Sequence, residues 1–263
     1  MALTYGSYLQ VEQLLSLQKP ASDKPEHDEM LFIIIHQAYE LWFKEVLHEI
    51  DHLTDFMFAG ESKKIPHTMK RIRTIFKVLV QQTDILKTMT PVEFLSFRNK
   101  LQTASGFQSA QFRELEFALG YKRKKILEIF NTSPSEHERL LHRIARPSVW
   151  DGFLTLLHTA GYPVPTECLD KISDEPTTPS QETQQILREI YNSDPELSYI
   201  CEGLLDIDEV IQEWRYQHVK TVERILGDNK PGTGGSSGAE YLRGTLFKPF
   251  FPDLWAIRSD IAG

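Results

Sequence analysis

The chain has little of what marks several large protein classes. Its longest unbroken aliphatic or aromatic run, Met30–Ile35, is far short of the roughly 20 apolar residues a membrane span requires. No apolar N-terminal stretch resembles a signal peptide. Two cysteines, Cys168 and Cys201, form no CxxC pair, which argues against a disulfide framework and for a reducing compartment. The net charge is −8, and the one dense basic run, Lys122-Arg-Lys-Lys125, is too short for a nucleic-acid surface. Clean two-residue alternation is almost absent, so a sheet has nothing to be built from. No internal repeat and no second domain are apparent. What remains is an ordinary globular balance, 41% hydrophobic and 25% charged over 263 residues. These features point to one soluble, cytoplasmic domain over residues 1–263, with no nucleic-acid or membrane partner.

What is present is helical periodicity. From Asp28 to Gly60, Phe32, His36, Tyr39, Phe43, Val46, Ile50 and Leu53 recur at three- and four-residue steps and so share one helix face. Asp28 reads as the N-cap and Gly60 as the stop. Pro66 opens a second helix with Met69, Ile72, Phe76, Leu79 and Thr83 inward. Thr90-Pro-Val-Glu93 is a capping box with proline at the first helical position. It starts a helix carrying Phe94, Phe97, Arg98 and Leu101, which Ser105-Gly106 breaks before Phe107–Leu119 forms the next. Helices follow over 134–144, 147–160 and 181–191. Residues 161–180, rich in Pro, Thr, Asp and Ser, read as a surface loop. Pro195 begins a second long helix ending near Gly227, with Ile200, Leu204, Ile207, Ile211, Trp214, His218, Val222 and Ile225 on one face. A short helix starts at Ala239. At the N-terminus, Thr4-Tyr-Gly-Ser-Tyr8 reads as extended, followed by a short amphipathic helix through Leu14 and Leu17. The fold class is all-α, two long helices anchoring several short ones.

Two histidines therefore lie on inner faces. His36 and His218 are either unrelated core residues or the two walls of a site between helices. Haem iron held by one imidazole, with the second opposite and O2 between, uses the latter arrangement. Arg98 shares a face with Phe94 and Leu101, where a guanidinium needs a carboxylate partner. That partner is either a protein side chain or a substrate. Gly232-Thr-Gly-Gly-Ser-Ser-Gly238 lacks the Gly-Lys-Ser/Thr ending of a phosphate loop. It reads either as a flexible linker or as a lid in which glycine amides and the Thr233 hydroxyl approach a ligand. His48-Glu-Ile-Asp-His52 matches the HExxH zinc signature, but both histidines fall opposite the apolar stripe and should face solvent.

Taken together, these stretches resemble the tryptophan 2,3-dioxygenase family over nearly the whole chain. The segments that carry the resemblance are Thr4–Leu9, His27–Lys44, Phe97-Arg98, Ser105–Ser109 and Gly232–Gly238. It implies a helical haem b subunit, ferrous when active, assembled as a homotetramer and cleaving L-tryptophan with O2 to N-formyl-L-kynurenine. In it, His218 is implied as the axial iron ligand, and Ser105 and Gly232 as cofactor neighbours. His36 is implied as the catalytic-site histidine that bonds the indole nitrogen. Arg98 is implied for the substrate carboxylate, Thr233 for its ammonium, and Phe32, Phe94 and Leu101 as apolar walls. Tyr5 and Tyr8 match tyrosines lent to a neighbouring subunit, so residues 1–18 are expected to pack there and residues 230–238 to form an active-site loop. Two departures stand out. The segment between His218 and Thr233 is one residue longer than the bacterial pattern, at Asp228–Pro231, and Phe112 stands where some members have tyrosine. The alternatives left open are a haem oxygenase acting on a substituted indole, a non-catalytic haem or tryptophan sensor, and a helical scaffold without cofactor.

Overall fold

The computed structural model describes residues 2–24, 26–102, 104–169, 173–227 and 239–261, and every regular element among them is helical. In chain order, α1 (Tyr5–Leu9) and α2 (Val11–Leu15) precede the long α3 (His27–Phe58). Next come α4 (Ile65–Leu86), α5 (Pro91–Arg98), α6 (Ala110–Ala118), α7 (Pro134–Ile144) and α8 (Val149–Thr159). After the short α9 (Thr166–Leu169) and α10 (Gln181–Ser193), the second long helix α11 (Pro195–Leu226) runs back through the core. The chain closes with α12 (Ala239–Arg243), α13 (Pro252–Ala256) and α14 (Arg258–Ile261). None of the described helices is long and apolar enough to cross a membrane.

Helices α3 and α11, each 32 residues long, both pack on α4. The predicted stripes are the surfaces they bury: Phe43, Val46, Ile50 and Leu53 from α3, Met69, Ile72, Phe76 and Leu79 from α4, and Ile200, Leu204, Ile207 and Ile211 from α11. Each such side chain contributes about 1.5–3 kcal/mol of hydrophobic stabilisation. The α4–α11 crossing is close at Gly203, where a Cβ would stand 2.4 Å from Met69 Cε. A smaller cluster, including Phe117, Phe130 and Leu140, lies under α7.

The boundaries follow local chemistry. Thr90 and Glu93 exchange their capping-box bonds, and Ser148 and Asp151 do the same at α8. Asp194 caps α11 ahead of Pro195. Gly60, at φ +70°, follows the end of α3, and the Glu61 amide closes back to the Phe56 carbonyl at 2.9 Å.

Several expected boundaries move. Asp28 is not the cap of α3. The helix begins at His27 after Glu26, and Asp28 sits with Glu29 in the first turn, where the positive helix end favours acids. Glu29 reaches back to accept the Ala21 and Ser22 amides at 2.6 and 3.3 Å, fastening the linker to the helix. Thr4–Tyr8 is not extended. Thr4 and Ser7 make a reciprocal capping box that winds residues 5–9 into α1. The α5 helix ends at Arg98, before Ser105-Gly106, and continues as a 3-10 turn over Asn99–Leu101. The expected 107–119 helix begins only at Ala110, because Ser109 caps it after a second 3-10 turn over Gly106–Gln108. The α8 helix starts at Val149 rather than at Pro147, under the Ser148 cap. The 161–180 loop contains α9, and α10 runs two residues past Tyr191.

Candidate active site

A cavity of about 380 Å³ is lined by the first half of α3 and the last turns of α11. That volume lies within the range of small-ligand and cofactor sites. Helix α3 contributes Phe32, His36 and Glu40, α4 Leu86, and α5 Phe94. The 3-10 segment supplies Leu101 and Ala104–Ser109. Helix α11 supplies His218, Thr221, Val222, Ile225 and Leu226, and α12 adds Leu242. His218 also lines two smaller voids of about 40 and 70 Å³. The cavity thus brings together His36 and His218, 182 positions apart in sequence (218 − 36).

His36 stands over Phe32, ring centroids 4.1 Å apart, and Phe32 in turn packs on Phe94 and Phe97. Its Nδ1 lies 2.7 Å from the Phe32 carbonyl oxygen. A carbonyl only accepts, so Nδ1 carries the proton and Nε2 keeps its lone pair. Burial lowers the pKa of His36, against a smaller opposing pull from the Phe32 carbonyl and Glu40. His218 stacks on Trp214 at 5.3 Å and 27°, and Trp214 is itself braced by Phe112 at 4.7 Å and Phe43 at 5.8 Å. Burial pushes the His218 imidazole down to about 4, with smaller contributions from His36 and Arg113. Both rings are therefore neutral at pH 7, the state in which imidazole binds a metal or accepts a hydrogen bond.

Behind His218 lies a charged cluster that spacing did not reveal. Glu116, fully enclosed, accepts from Arg113 at 2.7 Å, Arg123 at 2.8 Å and Arg215 at 2.9 Å. Burial alone would raise its pKa, but the guanidiniums of Arg113, Arg215 and Arg123 together bring it down to about 2. Arg113 and Arg215 line the small void beside His218, and the Nε of each is buried with no hydrogen-bond partner among the described residues. Three guanidiniums share the one Glu116 carboxylate, so the cluster beside the void carries net positive charge, a match for an acidic group on whatever fills the cavity.

The other expected site residues fall as follows. Phe32, Phe94, Leu101 and Ser105 line the cavity. Arg98 is half-buried in the last turn of α5 and is not among the described lining residues. Gly232 and Thr233, with the whole 228–238 stretch, lie outside the described residues. Tyr5 and Tyr8 project from α1, 80% and 71% exposed. In the HExxH stretch, His48 and His52 are exposed, while Glu49 is buried and bonded to Arg71 and Asp51 to Arg143. Those carboxylates serve ion pairs between helices. Glu40 and Thr221 were missed. Glu40 stands one turn after His36 on the same stripe, a spacing that carried the signal.

A family model described as tryptophan 2,3-dioxygenase matches residues 1–161 and 181–261. A tryptophan 2,3-dioxygenase of Herpetosiphon aurantiacus is 54% identical over 260 residues, covering 99% of both chains. One of Anaeromyxobacter sp. is 49% identical, covering 98% of this chain and 96% of its own. One of Bacillus thuringiensis is 41% identical, covering 98% and 93%.

Proposed function

The chain belongs to the tryptophan 2,3-dioxygenase family, and from that premise we propose that it inserts both atoms of O2 across the C2–C3 bond of the L-tryptophan indole, giving N-formyl-L-kynurenine, the first step of tryptophan degradation. The observation that carries this reading is the pair of neutral imidazoles, His36 and His218, lining one cavity from two long helices.

The cavity's donor set fits a haem. His218 offers a neutral ring nitrogen on a rigid aromatic shelf, and the guanidiniums of Arg113 and Arg215 line the small void beside it, where they suit an acidic group on a cofactor. When bound, ferrous haem supplies the activation of O2. His218 would hold the haem iron, and Ser105 and Gly232 would be cofactor neighbours.

The protein's own contribution is to hold the substrate. His36 is committed through Nδ1 to the Phe32 carbonyl, so Nε2 accepts the indole N–H and fixes the ring's rotation. Phe32, Phe94 and Leu101 enclose the ring and exclude water. Arg98 grips the substrate carboxylate with its two-pronged guanidinium, and the Thr233 hydroxyl receives the ammonium. Anchoring both ends of tryptophan in this way supplies several kcal/mol of barrier reduction through orientation. His36 acts by positioning the indole rather than as an indispensable base. Tyr5 and Tyr8, exposed on α1, complete a neighbouring subunit's pocket in a homotetramer. One all-α domain over residues 1–263 and a reducing, cytoplasmic setting complete the reading, the latter in keeping with two free cysteines.

Two variants test the reading. Arg98→Ala is expected to raise the KM for tryptophan roughly 10- to 100-fold, the worth of a charge-assisted bond, with an unchanged Soret band. Unaltered steady-state kinetics would remove Arg98 from the substrate site. His218→Ala is expected to purify without haem, and a fully loaded, active variant would refute the axial assignment. Haem and tryptophan binding without turnover in the parent protein would indicate a sensor instead.

A further inference from the structure

Glu40 is the only acidic side chain among the described residues lining the main cavity. It lies four residues after His36 on the same face of α3, close enough for the two side chains to be neighbours. Its Oε2 accepts a hydrogen bond from the Gln111 side-chain amide at 2.7 Å, and the same nitrogen donates to the Glu40 carbonyl at 2.8 Å. This double contact ties α6 to α3 and fixes where the carboxylate sits. Because Gln111 is a neutral amide, the contact orients the charge without cancelling it. Glu40, His36 and His218 also share the lining of the smaller void of about 70 Å³.

A neutral imidazole in an apolar pocket is a modest hydrogen-bond acceptor. A fixed anion one helical turn away makes the potential at its lone pair more negative, and between half-buried side chains that effect is screened less than in bulk water. Among the other charged or titratable groups, His218 faces His36 from α11 and is neutral at pH 7. Arg98 of α5 lies off the cavity lining. Glu40 is thus the charge best placed to act on His36, and it acts in the direction opposite to burial.

We propose that Glu40 is a positioning residue for His36: held by Gln111, its carboxylate strengthens Nε2 as the acceptor for the indole N–H of the substrate. The proposal rests on the tryptophan reading above and adds to it a residue that acts through another.

Two measurements test it independently. In histidine-labelled protein at a pH where His36 is neutral, the 15N resonance of His36 Nε2 is expected to move in Glu40→Gln and to return toward the parent position in the charge-retaining Glu40→Asp. An unmoved resonance in Glu40→Gln overturns the proposal whatever the substrate is. In the haem-loaded protein, tryptophan binding followed by the Soret shift is expected to weaken roughly threefold to tenfold in Glu40→Gln, the range of coupling between neighbouring groups. In a His36→Ala background the same substitution is expected to change binding by less than about twofold. Equal weakening in both backgrounds means that Glu40 acts on pocket shape through Gln111, and overturns the proposal. A parent protein that ignores tryptophan overturns the substrate reading, while the resonance experiment still decides the role of Glu40.

Discussion

Single side chains in this protein take their chemistry from burial and from a few fixed charges. The stripes on α3 and α11 turned His36 and His218 inward, and periodicity alone made that legible. Periodicity could not show the Glu116 cluster, because Arg113 and Glu116 come from α6 and Arg215 from α11, 99 positions from Glu116. Arg113 and Glu116 are spaced i,i+3 on one helix, but nothing local in the sequence joins Arg215 to that pair. Glu116 has an acid signature that can be measured. Its folded pKa, about 2, lies below the ordinary 4.5. The stability it contributes is therefore complete above pH 4.5 and is lost as pH falls through 2, a change on the order of 3 kcal/mol. Denaturant unfolding between pH 5 and 2 is expected to show that loss. Glu116→Gln is expected to begin less stable by about 3–5 kcal/mol, since buried guanidiniums lose their counter-charge, and to be flatter across the same window. Parallel acid profiles for parent and variant would contradict the assignment.

At the scale of elements, the legible boundaries are those written in contiguous residues. The Thr90/Glu93 box, the Asp194 cap with Pro195 and the Gly60 stop needed only local spacing. Thr90→Ala is expected to lower stability by about 1 kcal/mol in thermal unfolding, with haem content unchanged. The illegible stretch is 99–109, which runs through two 3-10 turns and a strained Gln102 at φ +50°. Short-range caps at Ser105 and Ser109 set its second half, but no helical or strand period runs through it. The Thr4/Ser7 box was missed because serine closes it in place of the usual Glu or Gln. Gly203 of α11 faces Met69 of α4 with no room for a Cβ between them. Gly203→Leu is expected to cost about 1–3 kcal/mol by overpacking, and the double variant with Met69→Ala is expected to recover much of that loss, since Met69 is the group displaced. Additive losses in the double variant would locate the strain elsewhere.

For the whole molecule, the all-α architecture with two long helices was readable because stripes of this length admit few other folds. The third long helix, α4, packs on both and lends Leu86 to the cavity lining. How subunits come together is not encoded in any one stripe. The proposal that Tyr5 and Tyr8 serve a neighbouring pocket predicts that Tyr5→Ala/Tyr8→Ala raises the KM for tryptophan while haem content stays at the parent level. A KM equal to the parent's would confine those tyrosines to their own subunit's surface. The central claim, a dioxygenase built around His36 and His218, is met most directly by one labelling experiment. Reduced, haem-loaded protein is mixed with L-tryptophan under 18O2, and the product is analysed by mass spectrometry. The expected product is N-formyl-L-kynurenine carrying two labelled oxygen atoms. A product with one labelled atom, or tryptophan recovered unchanged from protein that binds it, would contradict the account.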